Sequence, residues 1–366
     1  MADEELYYRL ALTSVPNVGA ILGKTLYSYF GSAEAIFKAT KKQLERVPNV
    51  GAITASAIVD FDNYDWVKEE LAFAEKHNIQ LLFYTDDAYP SRLKKYDQAP
   101  LLLYYRGADC LNCSFTVGIV GTRDATDYGI RFTEKLVREL QPFGCIIISG
   151  LAYGIDIAAH KAAVKQGMAT IGVLGNGLRN IYPAAHKSIA AKMIEHGGIL
   201  TEYPKDETPD RNHFPERNRI VAALSDALVV VESGEEGGSM ITVEYANEYK
   251  KPVFALPGLF DAKYSLGCHS LIKNGHAMLI ETAADIANYL KWGLEGGNVK
   301  QQAKLFEDLL PHELSIVQLL DAHKKLHIDQ LASLLDMQSH SFTFTLLDLE
   351  MKSLVRAMPG KYYELC

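Results

Sequence analysis

Little in this chain ties it to an oxidising or membrane environment. Five cysteines (Cys110, Cys113, Cys145, Cys268 and Cys366) are scattered over 366 residues, too few and too dispersed for a disulfide framework. No run of about twenty apolar residues occurs, so no membrane-spanning helix is expected. The first residues, "MADEELYYRL", lack the basic-then-apolar order of a secretory signal, and the cytoplasm is the expected compartment. Metal ligands are equally sparse. Cys110 and Cys113 form one C-x2-C without a second pair or an H-x3-5-H, so no metal site is expected. A net positive charge is missing as well: 37 Lys and Arg stand against 45 Asp and Glu, a balance of −8. Any phosphate-binding role therefore needs a local basic groove rather than a basic molecule.

What is present is patterning. "VPNVGA" occurs twice, as Val15–Ala20 and Val47–Ala52, each time between apolar helical stretches. Proline keeps the preceding residue out of the helix, and Asn-Val-Gly tolerates left-handed backbone. The helix after each turn opens with free amides, a natural phosphate seat. Residues 1–65 thus read as a helix-hairpin-helix-like domain, with Asn17, Gly19, Asn49 and Gly51 as accessory DNA contacts. A purely packing hairpin is the competing reading.

In residues 66–290 the apolar runs "FTVGIV", "CIIISG", "ATIGVLG", "DALVVVES" and "KPVFALPG" alternate with helical stretches. Such runs predict an α/β domain, a doubly wound, mostly parallel sheet of extended Rossmann-like type covered on both faces. Its ligands are expected at the carboxyl ends of strands. Residues 291–303 read as a linker. Residues 304–366 carry three helical segments and a hairpin around Pro359-Gly360, the outline of a winged helix. In its expected recognition helix, Ser341–Lys352, the outward positions Ser341, Thr343, Thr345 and Asp348 carry no cation, which favours packing or partner contact over phosphate binding.

Five strand-to-helix loops carry the chemistry. Gly121, Thr122 and Arg123 bring a close-approach glycine, a hydroxyl and a guanidinium to a helix start, a phosphate site. G-x-G-x-x-G is absent, so no dinucleotide cofactor is expected. Gly150, a further expected DNA contact, and Gly154 turn the chain into a helix bearing Asp156 and His160. These lie on one face and support the loop; as an acid–base pair they would lack a nucleophile. "GNGLRNIYP" adds Arg179 and Tyr182. "DRNHFPERNR" gathers Arg211, Arg217 and Arg219 around Phe214 and Asn218, a combination suited to unpaired bases and their phosphates. Gly237, Gly238 and Ser239 free amides ahead of the last helix start.

Taken in order, "GIVGTR", "SGLAYGIDIAAH", "GVLGNGL", "HFPERNRIVAALSDALVVVES", "GGSMIT", "PVFALPG" and "SLGCHSLIKNGHAMLI" resemble the DNA-processing protein family, DprA or Smf. The resemblance implies a non-catalytic, homodimeric mediator that binds single-stranded DNA and helps load RecA during natural transformation. It implies that Gly121-Thr122-Arg123 holds a phosphate. Phe214 is implied as the stacking ring, Arg217 as a charged contact and Asn218 as a loop-orienting amide. Arg211 stands where the family often has lysine, and His269 where it commonly has asparagine. The expected groove comprises Arg123, Arg211 and Arg217, with Arg219 and Lys187 as further members. An alternative is a phosphoribohydrolase of the LOG type on a related core, with Glu244 as its acid.

Overall fold

The computed structural model describes residues 2–113, 115–293, 311–323, 325–335, 345–350, 355–358 and 360–365. The chain divides into two compact units, Met1–Gly293 and Leu294–Cys366. No helix among the described residues is long and apolar enough to cross a membrane.

The first unit opens with six helices: α1 (Ala2–Thr13), α2 (Ala20–Phe30), α3 (Ala33–Lys38), α4 (Lys41–Leu44), α5 (Ala52–Val59) and α6 (Tyr64–Lys76). The repeated hexapeptide makes the turns into α2 and α5. In both copies the valines (Val15, Val18, Val47 and Val50) are buried. Burying each contributes about 1.5–3 kcal/mol, which fixes the two turns in one shared core with Leu12, Leu26, Ile36 and Ile58. Asn17 and Asn49 take left-handed backbone, with φ of 66° and 65°, a region asparagine tolerates. Gly19 and Gly51 cap the helices in open space. α6 spans residue 65, and Val67 and Ala74 share a second core with Leu10, Leu102, Tyr104 and Ile199. The hairpins and the sheet are thus packed into one body.

The sheet follows in nine strands: β1 (Gln80–Phe83), β2 (Leu102–Gly107), β3 (Thr116–Val120), β4 (Ile146–Ser149), β5 (Thr170–Val173), β6 (Gly198–Thr201), β7 (Ala227–Val230), β8 (Val253–Ala255) and β9 (Met278–Leu279). Their order is β1-β2-β6-β5-β4-β3-β7-β8-β9. From β6 to β9 every pairing is parallel, while β2 runs antiparallel to β6 and β1 antiparallel to β2. β3 to β7 are buried at every position, as expected when helices cover both faces. Those helices are α7 (Ser91–Lys94), α8 (Asp127–Leu140), α9 (Ile155–Lys165), α10 (Lys187–Met193), α11 (His213–Leu224), α12 (Gly238–Glu248), α13 (Leu266–Lys273) and α14 (Ala283–Leu290). The chain winds from β3 outward through β4, β5 and β6, then returns to place β7 on the other side of β3. The strand order reverses there, where doubly wound sheets bind ligands.

In the second unit, helices Pro311–His323 and Ile328–Leu335 accompany a three-stranded antiparallel sheet of Lys325–His327, Tyr362–Leu365 and Val355–Met358. Of the expected recognition helix, residues 345–350 are helical; Ser341 and Thr343 lie outside the described residues. Thr345, expected outward, is instead 5% exposed beside Leu346 and Leu349. The helix is therefore turned to bury that edge, while Asp348 stays exposed. Most of the expected linker also lies outside the described residues.

Candidate nucleic-acid interface

β3 and β7 end side by side, and the loops leaving them are stitched together. The Thr122 amide donates to the Glu232 carbonyl at 2.7 Å. The nearly buried Glu232 carboxylate accepts from the Thr126 amide (2.9 Å) and hydroxyl (2.5 Å), anchoring the start of α8. Gly121 is dictated by this closeness: a Cβ there would lie 2.6 Å from Ile155 Cγ1 and 2.9 Å from the Glu232 carbonyl oxygen. Gly154, at φ +74°, passes so near that a Cβ would sit 2.1 Å from the Thr122 carbonyl oxygen. Three loops therefore hold Thr122 and Arg123 in place.

Arg123 leaves this anchor exposed, its guanidinium 5.4 Å from the centroid of Phe214. A guanidinium lying over a ring keeps its hydrogen-bonding edge free for an anion. Tyr182 packs against Phe214, ring centroids 5.9 Å apart. Arg211 is exposed and forms no ion pair among the described residues. Asn218 Nδ2 donates to the Gly238 carbonyl at 3.0 Å, tying α11 to the start of α12. There the Ser239 hydroxyl lies 2.8 Å from that of Ser233. These groups surround a cleft of about 650 Å³. Arg123, Arg211, Arg217 and Lys263 line it with opposing charge from Asp124, Asp156 and Glu236; Asp124 accepts from the Tyr264 hydroxyl at 3.0 Å.

Arg217, which the resemblance implies as a charged contact, lines the same cleft, but its side chain is only 3% exposed. Its Nη1 donates to the Gly150 and Val173 carbonyls, and its Nε meets no acceptor among the described residues. Burial pushes its pKa down to about 10, with the neighbouring Asp156 opposing the shift. A Cβ on Gly150 would collide with this guanidinium. Arg217 is thus the support beneath the cleft.

Asp156 and His160 do not pair with each other. The Asp156 carboxylate accepts from the Gly150 and Ala152 amides at 3.1 and 3.3 Å, and burial raises its pKa. His160 Nδ1 lies 2.7 Å from the Thr170 hydroxyl. Burial, then the charges of Arg217 and His186, push the imidazole down to about 3. The sign follows. Below about 6.5 the unfolded imidazole takes a proton that the folded one refuses, so stability falls as pH drops toward 3, by up to about 1.4 kcal/mol per unit. His160→Gln is therefore expected to flatten the loss of stability between pH 7 and pH 5 in urea titrations; equal slopes in the two proteins would contradict this.

Other expected residues lie elsewhere. Arg219 is bonded by both terminal nitrogens to Glu202 (2.9 and 2.7 Å) and lines a different cleft, with Gly19, Ala20 and Tyr245. The first hairpin faces this cleft; Ile53 on the second is 79% exposed. Lys187 lines another cleft. Glu244 is exposed and outside the lining of the Arg123 cleft. His269 Nε2 lies 3.1 Å from the Gly258 carbonyl oxygen, tying down the loop after β8. Sequence reasoning missed Glu232, Lys263 and Tyr264, and gave Tyr182 no role. The one signal for Tyr182 was an aromatic residue beside a glycine-rich turn.

Residues 80–291 match a family model described as DNA recombination-mediator protein A, and residues 9–71 match a helix-hairpin-helix motif. Protein Smf of Synechocystis sp. is 38% identical over 287 residues, spanning 76% of this chain and 71% of that relative. The DNA processing protein DprA of Streptococcus pneumoniae is 41% identical over 201 residues, 55% of this chain and 71% of that one. The X-ray structure of the S. pneumoniae protein superposes with a TM-score of 0.66 at 31% identity, covering 77% of this chain and 97% of that one. DNA processing protein A of Helicobacter pylori, whose structure concerns a unique single-stranded DNA binding mode, gives a TM-score of 0.53 at 32% identity, covering 58% and 97%.

Proposed function

The chain belongs to the DNA recombination-mediator protein A family, and from that premise we propose that it binds single-stranded DNA in the Arg123 cleft without reacting with it. The observation that carries this reading is Arg123 seated over Phe214, with unpaired Arg211 on the same cleft. A guanidinium beside a half-buried ring serves a phosphate and the base attached to it. The ring has a use only when that base is unpaired, which selects single strands over duplex. The α12 amides at Gly238 and Ser239 give a second phosphate seat. Neither set of groups reads base edges, so binding is independent of sequence.

The same groups support binding without catalysis. The Ser233 and Ser239 hydroxyls bond to each other, and that of Ser233 also donates to the Gly234 carbonyl; no His, Asp or Glu activates them among the described residues. Asp156 and His160 are committed to backbone amides and to Thr170. Homodimerisation and delivery of the bound strand to RecA are part of the same proposal.

Fluorescence anisotropy with labelled oligo-dT tests the cleft. Arg123→Ala and Arg211→Ala are each expected to cost about 1.5–3 kcal/mol of binding, tenfold or more in Kd. Light scattering during the same titration, with and without RecA, reports the dimer and the handover. Unchanged affinity in both arginine variants would sink the proposed cleft. Release of free base from nucleoside monophosphates would favour the enzyme instead.

A further inference from the structure

The Arg123 cleft has a neighbour. A second cleft of about 880 Å³ opens between the end of α6, the loop after β5 and α10. Its apolar wall includes Phe73, Ile181, Ile194 and Ile199, and its cations are Lys76, Arg106, Arg179 and Lys187. Among the described residues no aspartate or glutamate lines it. Arg179 is already committed, bound to Asp206 at 2.8 Å with its guanidinium 5.3 Å from the Phe73 centroid. Lys76, Arg106 and Lys187 form no ion pair among the described residues.

Two segments run from one cleft to the other. Tyr182 lines both and is 47% exposed. Pro209 lines the second cleft and Arg211 the first, so the approach to α11 also joins them. We propose that a bound DNA strand continues past Tyr182 into this second cleft, with bases against the apolar wall and phosphates at Lys76, Arg106 and Lys187. This rests on the reading of the first cleft. An apolar wall alone would accept many ligands, and a group of cations any anion. A single strand presents flat apolar faces and regularly spaced negative charge together, which matches both features. Continuity through Tyr182 makes the occupant the same strand rather than a second ligand.

The test compares oligo-dT of about five nucleotides with oligo-dT of about twenty, lengths chosen to fill one cleft or more. The double variant Lys76→Ala/Lys187→Ala alters two exposed side chains, so folding is not at stake. It is expected to weaken the longer oligonucleotide about tenfold, to leave the shorter one unchanged, and to flatten the salt dependence by about 1.4 in slope for two lost phosphates. Arg123→Ala weakens both lengths. If the double variant binds the longer oligonucleotide like the parent, with the same salt slope, while Arg123→Ala does not, the second cleft is refuted and the first stands. If Arg123→Ala is also without effect, the reading of the first cleft has failed and this inference falls with it.

Discussion

Arg217→Leu is expected to lower the unfolding free energy by about 3 kcal/mol, because two buried carbonyls lose a charged donor. The substitution leaves Asp156 without its cation and strips the Gly150 and Val173 carbonyls of their donor. Few other single changes remove so much at once. Arg217→Lys keeps the charge but loses the fork that reaches two carbonyls, and should fall between the parent and the leucine variant. Adding Asp156→Asn to Arg217→Leu should recover part of the loss, because the stranded charge is gone. Urea denaturation followed by tryptophan fluorescence measures each step. A leucine variant within about 1 kcal/mol of the parent would show that the site tolerates an unpaired Asp156.

The second large effect belongs to Lys205. Its ammonium, 2% exposed, donates to the fully buried Glu70 carboxylate at 3.0 Å, and its own backbone amide points at the same carboxylate at 3.2–3.3 Å. The more distant Glu69 and Asp206 carboxylates complete its surroundings at 3.6 and 3.5 Å. Lys205→Met is expected to cost about 3–5 kcal/mol, because Glu70 then remains buried without a counter-charge. An exposed pair gives the contrast. Lys68 also meets a carboxylate, Asp65, at 2.9 Å, but both side chains are open to water; Lys68→Ala should cost less than about 1 kcal/mol. Similar losses for both variants would mean that burial does not decide the matter. Glu70 lies on α6 and Lys205 just beyond β6, so the pair fastens the helical hairpins to the sheet.

How far the sequence could be read depended on whether the information was local. The central strands announce themselves as continuous apolar runs, since a parallel strand buried on both faces has no polar positions to interrupt it. "QLLF" and "LLYYRG", which became β1 and β2, are as apolar, but they pair antiparallel and are joined without a long intervening helix, so the alternation of strand and helix does not mark them. The three arginines around Phe214 look alike in a nine-residue window, yet they end in three places. Arg211 stays free because it precedes the helix. Arg217 goes inward because it shares a face with Ile220, Val221 and Leu224, all buried; that periodicity was present in the sequence and outweighed the arginine's preference for water. Arg219 is claimed by Glu202, on a different element, which no local pattern reveals. Glu232 and Tyr264 were missed for the same reason: their partners lie more than a hundred residues earlier in the chain.

That separation has a consequence for the order in which the molecule is made. The Thr122–Arg123 loop is held by Glu232, and Asp124 is held by Tyr264. Both anchors leave the ribosome long after the residues they hold. A chain cut short before residue 232 contains Arg123, Arg211 and Phe214 but lacks the Glu232 and Tyr264 anchors of the loop that carries Arg123. Contacts this distant are also the slow ones to close during folding. The cleft is therefore completed late in synthesis, and partial products carry its charges without its shape.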